Sequence, residues 1–246
     1  RDAQESRGLG DVYKRQIIDS SSNFLTLYDQ IKPYTMTSRE RCYALYRAIN
    51  YILEAGIPGD FVECGVWRGG NAMLIAAVLT QRGVTDRRIF LYDTFAGMSE
   101  PTERDRKINS TRTAMTRWQK AKNAEYIDWC YASLDEVKEN MTRIGYPAEQ
   151  ITYVKGKVEE TLKQSLPSHI SLLRLDTDWY ESTKTELEIM YPLLTQSGVL
   201  IIDDYGTWDG ARLAVDEYFK KVPILLNKID DTGLIGIKIS QGTLPK

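Results

Sequence analysis

Three aspartates follow two apolar segments of this sequence, and their spacing could create a metal site. The apolar run 172–175 ends at Asp176, and the run 199–202 ends at Asp203 and Asp204. The segment between the runs is long enough for a helical crossover between parallel strands. Because parallel strands end at the same edge of a sheet, we expect the three carboxylates to converge there.

Carboxylates that converge repel one another, so their negative charge must be compensated. Two of them about 4 Å apart repel by roughly 4 kcal/mol at an effective dielectric constant near 20. Protonation, separation or a bound cation relieves this repulsion. An oxygen-only ligand set without nearby cysteine or histidine favours Mg2+, with Mn2+ or Ca2+ possible, over zinc. The alternative is that Asp176 and Asp178 cap the following helix, with Asp203 and Asp204 in an exposed turn.

A glycine-bearing segment earlier in the chain could approach a nucleotide cofactor. Phe61 and Val62 predict a strand, residues 63–70 a turn, and residues 71–81 a helix. Gly65 permits a tight turn, and Gly70 lets a ligand approach the positive end of a helix. The spacing is not GxGxxG, so a simple strand-to-helix turn remains the alternative.

The next two predicted strands add candidate cofactor contacts at the same edge. The run 87–93 ends at Asp93, whose carboxylate can accept hydrogen bonds from both hydroxyls of a ribose. Ile151–Val154 predicts another strand, and residues 155–160 follow at its exit, where an adenine could rest. Structural support is an equally good interpretation of Lys155.

The remaining pattern predicts a mostly parallel α/β sheet. Residues 38–56 predict a helix with Ser38 as its N-cap, and residues 206–221 predict another. Residues 95–115 predict a polar loop over the site edge. Apolar runs around Asp231-Thr232-Gly233 predict a terminal antiparallel hairpin. These elements give six or seven strands interleaved with helices.

Composition excludes several classes of protein. The chain has 246 residues, 42% of them hydrophobic, which suits one α/β domain. A formal charge of -2 argues against nucleic-acid binding. The longest apolar stretch, 72–79, is too short to span a membrane, and we expect a cytoplasmic protein. Its three cysteines form no CxxC pair and should be reduced.

Four segments resemble class I S-adenosylmethionine-dependent methyltransferases, and within them the macrocin O-methyltransferase (TylF) family. They are GDFVECGVWRGG, LYDTFAGM, LLRLDTDWYEST and GVLIIDDYGTWDGAR, and the resemblance runs from about Tyr34 to Lys238. It implies a Rossmann-like fold with a seven-stranded sheet, helices on both faces and a final hairpin. It also implies Mg2+-dependent methylation of a sugar hydroxyl in a secondary metabolite, as in antibiotic biosynthesis, with S-adenosylmethionine as the methyl donor.

The resemblance also implies roles for individual residues. Asp178 is the candidate general base, although capping of the following helix is a competing role. The implied metal ligands are Asp176, Asp203 and Asp204. The implied and predicted cofactor-binding residues are Glu63, Gly65, Val66, Trp67, Arg68, Gly70, Asp93, Thr94, Lys155, Gly156 and Asp176.

The predicted organisation has three parts. Residues 1–16 are expected to be a disordered or non-native lead-in, 17–58 an N-terminal helical segment covering the substrate, and 59–246 the methyltransferase domain. The expected partner is a small-molecule hydroxyl acceptor, which the resemblance implies is glycosidic. We also expect a homo-oligomer, a dimer, in which residues 13–34 could form an arm.

Other functions fit the sequence less well. His169, the only histidine, precedes the strand that ends at Asp176, so it lies at the wrong edge for a Ser-His-Asp hydrolase. A nicotinamide oxidoreductase would need GxGxxG. A metal-dependent catechol or phenol O-methyltransferase remains an alternative, because such substrates also present paired oxygens. A non-catalytic S-adenosylmethionine-binding regulator is the alternative of another class, and the intact aspartates argue against it.

Overall fold

The central element of the structure is a seven-stranded sheet. The structure is a computed structural model that describes residues 17–110 and 113–239, so the predicted lead-in lies outside the described residues. The strands are β1 (Asp60–Cys64), β2 (Ile89–Asp93), β3 (Ile151–Lys155), β4 (Ile170–Leu175), β5 (Leu194–Ile202), β6 (Leu226–Lys228) and β7 (Leu234–Ile237). The helices are α1 (Ser22–Ile31), α2 (Arg39–Glu54), α3 (Gly70–Gln81), α4 (Ala114–Ala121), α5 (Leu134–Thr142), α6 (Val158–Thr161), α7 (Tyr180–Met190) and α8 (Asp209–Phe219).

The strand order is β3-β2-β1-β4-β5-β7-β6. Strands β1 to β5 pair in parallel, whereas β7 is antiparallel to both β5 and β6. The predicted mostly parallel sheet with a terminal antiparallel hairpin is therefore confirmed. Its parallel part places the ends of β1, β2, β4 and β5 along one edge.

Helices cover both faces of the sheet, as predicted. Alternate strand residues point to opposite faces, so Phe61 and Leu172 pack with α1, α2 and α3. Val62 and Leu173 pack on the other face with α7 and α8. Burial on both faces explains why the parallel strands read as continuous apolar runs. Among the described residues, no helix has the length and apolar character needed to cross a membrane.

Several boundaries differ from the sequence prediction. Glu63 belongs to β1 rather than to the turn, and β5 begins at Leu194 rather than at Val199. Helix α7 ends at Met190 and a short 3-10 turn follows, because Pro192 cannot donate the next helical hydrogen bond. Helix α1 lies in the segment 17–58 that was expected to be helical, whereas α4 and α6 were not predicted. The Ser38 N-cap of α2 is confirmed, since its hydroxyl accepts the Arg41 N–H at 3.2 Å.

The polar loop after β2 is held by one buried carboxylate. Asp105 is only 1% exposed. Its Oδ2 accepts hydrogen bonds from the backbone N–H (2.6 Å) and hydroxyl (2.8 Å) of Thr102. Its Oδ1 accepts the N–H of Tyr180, the first residue of α7, at 2.8 Å. Asp105 therefore ties the loop to the start of the helix that follows Asp178.

We expect Asp105→Ala to lower the free energy of unfolding by about 2–3 kcal/mol, because it removes a helix-end acceptor and leaves buried donors unpaired. Urea unfolding monitored by circular dichroism measures this loss. Glu103→Ala, which truncates an exposed acid in the same loop, is the control and should change stability by less than about 0.5 kcal/mol. Equal stability of the two variants would contradict the anchoring role.

Candidate active site

A cleft lies along the edge where β1, β2, β3 and β4 end. It encloses about 660 Å³ of empty space, including the part open to solvent. Six of the predicted cofactor residues line the cleft, namely Gly65, Trp67, Asp93, Thr94, Gly156 and Asp176.

The turn after β1 lies directly against the end of β4. The backbone N–H of Asp176 donates to the carbonyl of Cys64 at 2.8 Å. Gly65 has a φ of +82°, and a Cβ there would lie 1.9 Å from the carbonyl oxygen of Asp176. Only glycine fits this contact. The cofactor turn and the first acidic segment are thus in direct contact.

Asp93 organises the same turn. Its Oδ2 accepts the backbone N–H groups of Val66 at 2.7 Å and Trp67 at 3.1 Å, while Oδ1 accepts that of Phe95 at 2.7 Å. Burial raises the pKa of Asp93, and these hydrogen bonds oppose the increase. The acid predicted to bind a ribose therefore lines the cleft and also holds its wall in place.

The other predicted cofactor residues lie outside the cleft lining. Arg68 stacks on Tyr34, pairs with Glu136 at 2.5 Å and donates to the carbonyl of Pro33 at 3.1 Å. Gly70 packs so closely on residues 34–35 that a Cβ would come within 2.6 Å of them. These contacts hold the N-terminal segment over the cofactor turn. Glu63, Val66 and Lys155 complete the set outside the lining.

Three carboxylates converge beside this cleft. One oxygen from each of Asp176, Asp178 and Asp204 lies within 4.8 Å of the other two. The backbone N–H of Asp178 donates to Oδ2 of Asp204 at 3.0 Å. Sequence spacing predicted the convergence of Asp176 and Asp204. We name Asp176, Asp178 and Asp204 the carboxylate cluster.

The carboxylate cluster resists full ionisation. Burial, followed by the negative charge of Asp176, raises the pKa of Asp178 to about 8. Burial, followed by Asp178 and then Asp176, raises the pKa of Asp204 well above its ordinary value. Without a cation, the cluster therefore retains protons at neutral pH.

Asp203 lies with two arginines instead. Its Oδ1 accepts a hydrogen bond from Nη2 of Arg174 at 2.5 Å, and its Oδ2 contacts Nη1 of Arg41. The structure therefore does not bring Asp203 into the carboxylate cluster, contrary to the expected grouping of Asp176, Asp203 and Asp204. Sequence reasoning missed the arginines, although Arg174 is two residues before Asp176 and so points to the same face of the sheet.

Arg174 is the buried counter-charge of this edge. It is 1% exposed and donates through Nη1 to Glu63 at 2.9 Å and to Asp176 at 2.8 Å. Burial opposes its charge, but the surrounding carboxylates raise the pKa of Arg174 well above its ordinary value. Burial also raises the pKa of Glu63 to about 8, against the effect of Arg174. Glu63 thus supports the site from the core.

Asp178 is not the cap of the following helix, so that alternative is wrong. Helix α7 has Trp179 as its N-cap residue, without a side-chain capping bond. The carboxylate of Asp105 accepts the first helical N–H, as described above. Oδ1 of Asp178 instead accepts the indole N–H of Trp208 at 2.5 Å. Its carboxylate is therefore available to the cleft.

The ligand types in the cluster fit a hard divalent cation. The three carboxylates supply only oxygen, and two of them hold protons that a cation would displace. Within residues 17–110 and 113–239, neither Asp178 nor Asp204 forms a salt bridge. A cation would therefore compensate the negative charge that appears when these protons leave, for which this part of the chain supplies no ion-pair partner.

We expect Mg2+ to raise the melting temperature more at about pH 9 than at about pH 6. The raised pKa of Asp178 means that its protonated form stabilises the fold below about pH 4, and that this contribution is lost as the pH rises through about 8. A cation replaces the lost protons. Differential scanning fluorimetry measures the effect.

Asp178→Asn should weaken this pH dependence, whereas Asp86→Asn, an exposed acid before β2 at the opposite edge, should preserve it. A Mg2+ effect of the same size at both pH values, or one unchanged in Asp178→Asn, would contradict the proposed link between the cation and the carboxylate cluster.

The structure resembles a characterised methyltransferase. The solved structure of the O-methyltransferase NovP superposes with a TM-score of 0.73, is 28% identical in sequence, and covers 84% of this chain and 83% of its own. Two sequence relatives are also O-methyltransferases.

A Streptomyces olivaceus protein, 8-demethyl-8-(2,3-dimethoxy-alpha-L-rhamnosyl)-tetracenomycin-C 4'-O-methyltransferase, is 34% identical over 82% of this chain and 74% of its own length. Demethyldecarbamoylnovobiocin O-methyltransferase from Streptomyces niveus is 31% identical over 78% of this chain and 70% of its own length. The model of the Macrocin-O-methyltransferase (TylF) family matches residues 23–236. The chain therefore belongs to the TylF family of O-methyltransferases.

Proposed function

We propose that this protein uses S-adenosylmethionine and Mg2+ to methylate a sugar hydroxyl of a glycosylated secondary metabolite. The observation that carries this proposal is the carboxylate cluster placed beside a cleft that six of the predicted cofactor residues line. Asp176 belongs to both, so the two sites adjoin. That arrangement suits a reaction in which a methyl donor and a metal-held acceptor must meet.

The cleft supports S-adenosylmethionine as the donor. Asp93 lines the cleft and would accept the ribose hydroxyls, and Gly65 and Trp67 would lie along the methionine side. Gly156 lines the cleft after β3, where the adenine would rest. S-Adenosylmethionine supplies an electrophilic methyl group for an in-line displacement. The protein's task is to hold the two reacting atoms at near-attack distance.

The carboxylate cluster supports a divalent cation. Asp176, Asp178 and Asp204 would offer its ligands, and we retain Asp203 as a proposed ligand only if Arg41 releases its Oδ2. When bound, Mg2+ would position two neighbouring acceptor oxygens and make a hydroxyl more acidic. The described contacts therefore favour the carboxylate cluster over Asp203 as the source of the metal ligands.

Asp178 is the proposed general base. It lines the cleft, and a bound cation would displace the proton that burial holds on Asp178, which leaves a carboxylate able to accept one. Its carboxylate would accept the hydroxyl proton as the acceptor oxygen attacks the methyl group. Asp178 does not cap α7, so its carboxylate can serve this role while Oδ1 accepts the indole N–H of Trp208.

The acceptor is proposed from the relatives. The Streptomyces olivaceus relative is named for a rhamnosyl tetracenomycin, a sugar-bearing substrate. Neighbouring hydroxyls of a sugar present two oxygens to a metal, as catechols do. No feature of the described site favours a catechol, so we propose the sugar acceptor.

The N-terminal segment 17–58 is the proposed substrate cover of a methyltransferase domain that occupies 59–246. Met36 lines the cleft and is 60% exposed, so it offers an apolar surface at the cleft mouth. We also propose a cytoplasmic homodimer.

The proposal is tested by incubating the protein with S-adenosylmethionine and rhamnosylated aromatic polyketides, and measuring S-adenosylhomocysteine and the methylated product by mass spectrometry. Product should form with Mg2+ and disappear with a chelator. Equal turnover under both conditions would contradict the metal role, while turnover of catechols alone would replace the proposed acceptor.

We expect Asp178→Asn to lower kcat by about 100- to 10,000-fold, because the substitution removes the base and retains its shape. The dissociation constant of S-adenosylmethionine, measured by calorimetry, should change by less than about threefold. Asp209→Asn, which changes an exposed acid in the first turn of α8, should leave kcat unaltered. Wild-type kcat in Asp178→Asn would remove Asp178 from the mechanism.

A further inference from the structure

The indole of Trp208 holds one oxygen of the proposed base. Its Nε1–H donates to Oδ1 of Asp178 at 2.5 Å. We propose that Trp208 is a positioning residue that fixes the Asp178 carboxylate and reserves Oδ2 for the acceptor proton or the cation. This inference rests on the proposed function and names a residue that its mechanism has not used.

Trp208 is itself held rigidly. It is 6% exposed, and its ring lies 4.9 Å from that of Trp179 at an interplanar angle of 72°. The ring of Trp129 lies 6.1 Å away. Edge-to-face contacts of this kind stabilise one ring orientation. The donor therefore occupies a fixed position beside the cleft.

Trp208 is also joined to the second acid of the carboxylate cluster. Its backbone N–H donates to the carbonyl oxygen of Asp204 at 3.1 Å. The carboxylate of Asp204 in turn accepts the backbone N–H of Asp178 at 3.0 Å. The three residues form a closed set of contacts, so a shift of the indole would alter the spacing of both acids.

The backbone of Asp178 requires such restraint. Its φ is +67°, in the left-handed region that non-glycine residues seldom adopt. Conformations of this kind persist where surrounding contacts determine them, and they concentrate at functional sites. Asp204 restrains the main chain of Asp178, and Trp208 restrains its side chain.

The chemistry of indole suits this role. An indole N–H donates a hydrogen bond but has no acceptor lone pair and does not exchange its proton with a carboxylate. Trp208 thus stabilises the charge on Asp178 without competing for the transferred proton. With Oδ1 engaged, Oδ2 is the oxygen that remains for chemistry.

A purely structural role would predict the same consequences for a neighbouring tryptophan. Trp118 is 8% exposed and belongs to the same aromatic cluster, but its indole N–H donates to the carbonyl oxygen of Met98 at 2.9 Å. Replacement of either tryptophan by phenylalanine removes one indole donor and similar volume. Only one of the two donors contacts the carboxylate cluster.

The test compares Trp208→Phe with Trp118→Phe in the full chain. We expect Trp208→Phe to lower kcat by about 10- to 100-fold and to weaken Mn2+ binding, measured by calorimetry, by severalfold. The KM of the acceptor and the dissociation constant of S-adenosylmethionine should remain near their wild-type values. Trp118→Phe should retain kcat and Mn2+ affinity, with a fall in melting temperature similar to that of Trp208→Phe.

Equal kcat and equal Mn2+ affinity in the two phenylalanine variants would overturn the proposal. If Trp208→Phe does not fold, Trp208→His is compared with Trp208→Leu, because histidine keeps a ring N–H donor and leucine does not. The kcat of Trp208→His should exceed that of Trp208→Leu by at least about tenfold. Equal kcat values in these two variants would overturn the proposal.

Absence of turnover in the folded wild-type protein would count against the proposed function alone. The Mn2+ affinities would then decide the positioning role, and a wild-type affinity in Trp208→Phe would reject it. Failure of the wild-type protein to bind Mn2+ would reject both.

Discussion

The site depends on an excess of buried carboxylates over arginines at one edge of the sheet. Arg174 carries a positive charge into the core and binds Glu63, Asp176 and Asp203 at the same time. Removing such a partner from a buried ion group costs roughly 3–5 kcal/mol, because the carboxylates lose their compensation. Arg41 adds a second cation on Asp203 and Asp230. Asp178 and Asp204 lie beyond the reach of both arginines.

The acids with arginine partners therefore support the structure, and the acids without such partners are left for the proposed reaction. Glu63 and Asp203 hold the ends of β1, β4 and β5 together through Arg174, while burial raises the pKa of Asp178 and Asp204 beside the cleft. Asp176 binds Arg174 and also belongs to the carboxylate cluster. The surrounding elements maintain that separation. Gly65 allows β1 to approach Asp176, Asp105 fixes the start of α7, and Trp208 restrains Asp178. A site for a cation and a base thus arises from contacts that the fold already requires.

Much of this arrangement follows from the sequence alone. Apolar runs that end in acids predicted the parallel strands and the convergence of Asp176 with Asp204, because strand ends obey simple topological rules. The position of Asp203 did not follow, since it depends on Arg41 from a distant helix. The contact between Trp208 and Asp178 joins residues thirty positions apart and depends on the packing of several rings. Side-chain partners chosen by tertiary packing carry no local sequence signal.

Calorimetric titration of Mg2+ into the protein saturated with S-adenosylmethionine, repeated with Asp204→Asn, tests the central claim most directly. Asn retains an oxygen that can accept the Asp178 N–H but removes one negative charge from the carboxylate cluster. The account predicts one cation bound per wild-type chain and a loss of binding in Asp204→Asn, with the affinity for S-adenosylmethionine preserved. Wild-type Mg2+ binding in Asp204→Asn, or no Mg2+ binding by the wild-type chain, would contradict it.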